Sequence, residues 1–291
     1  PISTTTGDVD AGVSVLWDAI WDLGGVYGCF VETLGSKKGR TEVDGLLGRV
    51  RLASQLSSSS SSSSSWPRCF GAIHTQTDKL LSSSKEDSLV VLLKELLDPW
   101  LATVRSLKEV NLYDVLIAEL TFDQQRRLDD EFPTSIIAPD GSMISVVYPY
   151  SPTDEIDDTT MNVVVQTPPT AGAKLQQFFG TIESPTVGPV SNRTPISISL
   201  LSPSGKVLAQ TIDLHFFWRE VYPSIRKEMR GRYVKHPWPE DPMMAVATRE
   251  SNRQLQQVGG DRDSDEGEVG DPRKIKRMRK KKKKRGNKKG Q

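Results

Sequence analysis

The stretch "PTSIIAPDGSMISVVY", Pro133–Tyr148, is where the periodicity of the chain changes. Two β-rich runs, "TSIIAP" and "MISVVYPY", flank the Asp-Gly of "APDGSM", the signal for two strands joined as a hairpin. Before Pro133 apolar residues recur every three or four positions, and after it they alternate or run in short β-branched blocks. The chain therefore reads as α+β: a helical N-terminal connector, a β-rich domain closed by a long C-terminal helix, and a disordered tail.

Downstream, "MNVVVQTP", "ISISLLSP" and "KVLAQTI" have β character, and the Ser-Gly of "SPSGKV" predicts a second hairpin. "AGAKLQQFFG" is long enough for two helical turns between strands, closed by Gly180. From Asp213 the helical period returns, with Phe217, Val221, Ile225 and Met229 spaced by four. Pro223 falls inside that run, so the helix must kink there or restart with Pro223 in its first turn. Gly231 is the expected stop.

Upstream, Val13, Leu16, Trp17, Ile20 and Leu23 keep helical spacing, and the glycines at 24, 25 and 28 end it. "VDGLLGRVRLA", Val43–Ala53, is a second helix weakened by Gly45 and Gly48. Nine serines, Ser57–Ser65, cannot repay their ordering entropy and read as a flexible insertion. After them a helix starts at Asp87 or Ser88, stops near Asp98-Pro99 and continues from Trp100. A helical pair follows, with Leu112, Val115, Leu116 and Leu120 on one face and Thr121 capping the turn that carries Gln124–Leu128.

With 36% apolar residues, a chain of 291 can bury one or two cores. The longest clean apolar run, "LVVLL", is far short of the ~20 residues of a membrane helix. "PISTTTGDVD" has no signal-peptide shape, and a first residue of Pro1 reads as a fragment. Cys29 and Cys69 supply neither a disulfide framework nor zinc spacing, so a reducing intracellular compartment is expected. The triplet at Asn192 matches a glycosylation acceptor, but nothing else in the chain suggests secretion. The net charge of +1 conceals an asymmetry, because residues 273–291 hold thirteen Lys or Arg and no acid. Setting those thirteen aside leaves 25 basic against 37 acidic residues, a balance of −12. The body is acidic and the tail a polycation.

Self-contained chemistry is missing. In "LGSKKGRTE" Gly35 and Gly39 are four apart and Arg40-Thr41 follows, whereas a phosphate loop needs glycines five apart followed by Lys and Ser or Thr. His74, His215 and His236 are too scattered for a metal site. Asp129, Asp130 and Glu131 are adjacent, point in different directions and read as a solvated face. No catalytic residue, metal ligand or cofactor site is assigned.

The candidate interface is "RKEMRGRYVKHPWPEDP", Arg226–Pro242. Arg219, Arg226 and Arg230 fall on a helical face separate from the apolar one, and Arg230, Arg232 and Lys235 gather at the helix C-terminus, where cations also complement the macrodipole. Three prolines hold "KHPWPEDP" extended, so Trp238 serves as an anchor and Glu240 and Asp241 as partners for nearby arginines. One reading is a structural clasp of Trp218, Trp238, Glu240 and Asp241. The other is contact between the cations and an RNA backbone. The tail, with Lys280, Lys281, Lys282, Lys283 and Lys284, suits nucleic acid without sequence readout, or a nuclear or nucleolar address.

"FWREVYPSIRKEMRGRYVKHPWPEDP", Phe217–Pro242, resembles the C-terminal signature of HrpB-type ATP-dependent helicases of the DExH-box class. The resemblance runs back through "RTPISISLLSPSGKVLAQTIDLHFFW", "KLQQFFG", "PTSIIAPDGSMISVVY", "QQRRLDDEFP" and "LLDPWLATVRSL", and more weakly through "LLGRVRLA" and "LWDAIWDLG". It implies a post-motor region: a helical connector over 1–56 and 66–132 interrupted by the serine linker 57–65, a C-terminal β-rich domain over 133–247, and an acidic then basic tail over 248–291. ATP and Mg²⁺ would be bound by motor domains upstream or in another chain, so this chain alone is expected to be inactive. RNA is the implied partner, and no membrane is. Val234 stands where the family usually has proline, and the serine run and "DEIDDTT" look like insertions. With the lysine tail these suggest a eukaryotic, algal or plastid-bearing, member. The competing reading is a non-enzymatic protein-interaction module whose tail only targets.

Overall fold

The computed structural model describes residues 6–57, 66–73, 84–150 and 167–251. The serines from 58 onward, the run "MNVVVQ" and the whole basic tail, with Lys280 to Lys284, lie outside the described residues. Described residues up to 227, with 239–249, form one compact unit, and 228–238 with 250–251 belong to a second.

The first unit opens with helices. α1 (Thr6–Asp22) buries Trp17 and Ile20 and stops where Gly24 and Gly25 take φ of 89° and 79°, a left-handed conformation that glycine adopts without strain. The chain then re-enters helix, as α2 (Gly25–Tyr27) and a π turn (Gly28–Thr33) that bury Val26, Cys29, Phe30 and Val31. Three glycines hid that segment from the sequence reading. α3 (Lys37–Ser57) is nearly twice as long as its periodicity suggested and buries Leu46, Leu47, Val50, Ala53 and Leu56. Gly48 is there for close approach, since a Cβ on it would lie 2.6 Å from the Tyr148 carbonyl oxygen.

After the short α4 (Cys69–Ala72) comes α5 (Ser84–Leu101), which corrects three expectations. It begins at Ser84 instead of Asp87 or Ser88, passes through Pro99, and does not continue beyond Leu101. A proline in the last turn forfeits only its own N–H bond, while Ala102 N still reaches the Asp98 carbonyl at 3.0 Å. α6 (Leu112–Ala118) and α7 (Phe122–Glu131) form the helical pair. Thr121 Oγ1 accepts from Gln124 N at 3.3 Å and Gln124 Oε1 accepts from Thr121 N at 2.9 Å, which closes a capping box. The three acids are not merely solvated. Asp129 receives the buried Arg49 at 2.8 Å, Asp130 pairs with Arg126 at 3.6 Å and Glu131 with Arg127 at 3.1 Å.

Among the described residues the strands that follow are seven: β1 (Ser135–Ile137), β2 (Met143–Val147), β3 (Thr170–Lys174), β4 (Thr186–Val187), β5 (Thr194–Pro195), β6 (Ser197–Leu201) and β7 (Val207–Thr211). Five make one sheet in the order β1-β2-β3-β6-β7, and β4 pairs with β5. Both expected hairpins form, β1–β2 through Gly141 at φ 80° and β6–β7 through Gly205 at φ 88°. β3 runs parallel to β6, with Gly172 opposite Ser199. The two helical turns expected over Ala171–Gly180 are a correction: the first half is strand, and only Leu175–Phe178 coils, as 3₁₀. Ala171 and Ala173 face inward at period two, and pairing on both edges overrides their helix propensity.

The C-terminal helix is built in three pieces: α8 (Leu214–Phe216), a π turn (Phe217–Val221) and α9 (Tyr222–Arg232). Asp213 caps the start by accepting from Phe216 N at 2.9 Å. Pro223 sits in the first turn of α9, where its missing N–H costs least. The wide turn moves the buried stripe, so Trp218 and Tyr222 are buried while Val221 and Ile225 are only half-buried, and the expected spacing of four does not hold. Nor does Gly231 stop the helix, which runs to Arg232.

Candidate nucleic-acid interface

In the first unit, the aromatic core fixes the helix that carries Arg219 and Arg226. Trp218 is 2% exposed, donates from Nε1 to the Thr181 carbonyl at 2.7 Å, and meets Phe217 and Tyr222 edge-on with centroids 5.0 and 5.5 Å apart. Tyr222 Oη donates to the Pro239 carbonyl at 2.9 Å, and burial pushes its hydroxyl pKa upward against the opposing influence of Arg226. The strap after Pro239 is stitched to the sheet side by Gly180 N to the Pro242 carbonyl at 2.9 Å and Thr248 N to the Gln176 carbonyl at 3.0 Å.

Arg226 and Arg219, grouped together in the sequence reading, have different surroundings. Arg226 Nη2 lies 3.1 Å from Glu240 Oε1, with its side chain 23% exposed. Arg219 is exposed, and no described acid lies within ion-pair distance of it. Asp241 does not take an arginine; its Oδ1 accepts from Met243 N at 2.9 Å and shapes the strap instead.

In the second unit Arg230, Arg232 and Lys235 are all exposed. Arg232 pairs with Glu228 one turn back at 3.6 Å, the weak surface kind of ion pair. Trp238 is 7% exposed and donates from Nε1 to the Tyr233 carbonyl at 3.1 Å. Periodicity assigns no role to Tyr222, to Phe179, whose ring lies 6.0 Å from Trp218 and 6.2 Å from Tyr222, or to the Thr248–Gln176 bond. The aromatic spacing of "FFG" and "FFWREVY" was the available signal for the first two; a backbone bond across 72 positions leaves none.

The residues around "LGSKKGRTE" do not fit a nucleotide. A phosphate loop joins a strand to a helix, whereas Gly35 follows a π turn and Gly39 lies in the first turn of α3. Among the described residues no group of three His, Cys, Asp or Glu could hold a metal ion, and no helix is long and apolar enough to cross a membrane.

Residues 95–242 match the HrpB_C family, described as ATP-dependent helicase C-terminal. The chain is 34% identical over 171 residues to the ATP-dependent RNA helicase HrpB of Escherichia coli strain K12, covering 58% of this chain and 19% of that protein. The crystal structure of the E. coli DExH-box NTPase HrpB superposes with a TM-score of 0.58 at 27% identity, over 86% of this chain and 26% of the other. A crystal structure of the Escherichia coli DEAH/RHA helicase HrpB shares the fold, with a TM-score of 0.50 at 24% identity over 82% of this chain and 24% of that one. The chain thus spans between 19% and 26% of the length of these relatives.

Proposed function

Because the chain belongs to the HrpB-type family of ATP-dependent helicase C-terminal regions, we propose that it is the accessory part of an RNA helicase, holding RNA by its backbone and steadying a motor. The reading rests above all on the exposure of Arg219, Arg230 and Lys235, none with a described acid within ion-pair distance. Exposed cations, Arg219 on the first unit and Arg230 with Lys235 on the second, are each suited to phosphates, which position a nucleic acid without reading its sequence. ATP and Mg²⁺ belong, in this reading, to motor domains upstream or in another chain. The basic tail adds a second, sequence-indifferent attraction.

The test is fluorescence anisotropy of a labelled single-stranded RNA against the chain lacking residues 273–291. We expect weak residual binding that falls at least about fivefold when Arg219, Arg230 and Lys235 become alanine, the loss of three phosphate contacts. If the tail-less chain binds no RNA, the protein-interaction module with a targeting tail takes the place of this reading.

A further inference from the structure

The C-terminal end of a helix disfavours acids, because its last carbonyls carry partial negative charge. α7 nevertheless closes on Asp129, Asp130 and Glu131, with no basic residue in its last turn. Asp130 and Glu131 are each answered by an arginine one turn back, Arg126 and Arg127. Asp129 is answered from 80 positions away, by Arg49 of α3, whose Nη2 lies 2.8 Å from Asp129 Oδ1. The same guanidinium donates from Nε to the Phe132 carbonyl at 2.7 Å, so one side chain supplies both the cation and a hydrogen-bond donor to the end of α7. Arg49 is 6% exposed, a burial that a charge sustains only while its partners stay in place.

That end of α7 is also the covalent link between the helices and the sheet, since Phe132 and Pro133 lead into β1. Further contacts hold α3 across the link. Gly48 lies so close to the chain leaving β2 that a Cβ on it would stand 2.6 Å from the Tyr148 carbonyl oxygen, and Tyr148 Oη donates back to the Pro133 carbonyl at 2.8 Å. Leu56 Cδ1 lies 3.0 Å from where a Cβ on Gly188 would stand, just after β4, and Gly188 N donates to the Glu131 carbonyl at 2.7 Å. All of these residues belong to the first unit. A hinge motion at Phe132-Pro133 would have to break these contacts together and strip a buried guanidinium of its partners, the costliest step of the set. α3 itself lies before residues 95–242, the part that matches the family.

We propose that Arg49 locks the junction at Phe132-Pro133 against hinging, so that α3 and the sheet open as one cooperative unit and the C-terminal domain extends back to α3, beyond the matched residues. Hydrogen exchange of the intact chain, read by mass spectrometry on peptides from residues 46–53 of α3 and from β2, tests it. In the parent the two should show the same protection, because a cooperative unit opens at one free energy. Arg49→Met keeps much of the side chain's bulk and removes the charge and both donors. It should make α3 exchange at least about tenfold faster while β2 keeps the parent's protection. Arg49→Lys keeps the charge but cannot serve the carboxylate and the carbonyl at once. It should shift α3 alone in the same direction, and it carries the test if Arg49→Met does not fold. Asp130→Asn, which breaks only an exposed pair, should leave both peptides unchanged. An α3 that already exchanges at least about tenfold faster than β2 in the parent, or Arg49 variants in which the two peptides stay matched, overturns the proposal.

Discussion

Arg226 and Glu240 meet at 3.1 Å between the last helix and the strap that returns along it, with the arginine mostly covered and the carboxylate 87% exposed. A pair open to water on one side is screened and carries modest energy. The hydroxyl of Tyr222 on the Pro239 carbonyl, one residue earlier in the strap, is the better-covered attachment.

Removing the exposed partner should therefore matter little. We expect Glu240→Ala to cost about 0.5 kcal/mol, whereas Trp238→Ala should cost ~3 kcal/mol or more, in the range of buried aromatic truncations. Urea titrations of both variants decide it. Equal losses would mean that the strap is held by charge.

The two glycines that made α3 look weak should behave oppositely. Gly48→Ala forces a Cβ to 2.6 Å from a backbone oxygen of Tyr148 and should cost about 2 kcal/mol or more. Gly45 has nothing within 4 Å of an added Cβ, so Gly45→Ala should gain about 0.5–1 kcal/mol from the helix alone. Thermal melts of the two single variants test the contrast.

This pair marks what the sequence could and could not convey. The hairpins at Asp140-Gly141 and Ser204-Gly205, the Thr121 cap and the apolar face of α6 follow from local chemistry, and each was legible. The full length of α3, the strand at Thr170–Lys174 and the π turn at Phe217–Val221 depend on partners far away in sequence, so local propensity pointed elsewhere. At the candidate site the cations were legible as cations. That Arg226 is engaged by Glu240 while Arg219 is not depends on the course of the strap, which periodicity does not encode.

Burial pushes the thiols of Cys29 and Cys69 up from 9.0 to about 11. The native state keeps them neutral, so their contribution to stability is complete below about pH 9 and is lost as pH rises from there toward 11. Between pH 8 and 10 the urea midpoint should fall, and fall less in the Cys29→Ala, Cys69→Ala double variant. The slope carries the test, since the cavities lower the variant's curve by the same amount at every pH. An identical slope would mean that the thiols ionise in the native state as readily as in the unfolded one.

The chain by itself should hydrolyse no ATP, with or without RNA, because no described loop can cradle a triphosphate and its metal ion. A coupled assay on purified chain measures this. Turnover that survives further purification and follows the protein peak would overturn it.

RNA binding should separate into two parts with different salt dependence. Each phosphate neutralised on a single strand adds ~0.7 to the slope of log affinity against log salt. The intact chain, with thirteen cations in residues 273–291, should show a slope well steeper than −2. Without that segment, Arg219, Arg230 and Lys235 can contribute three contacts at most, a slope of about −2. Anisotropy titrations from 50 to 300 mM salt give both slopes. If the shorter chain keeps the steep slope, the folded part carries more phosphate contacts than these three cations provide, and the acidic body must hold a basic surface that the terminal helix and its strap do not supply.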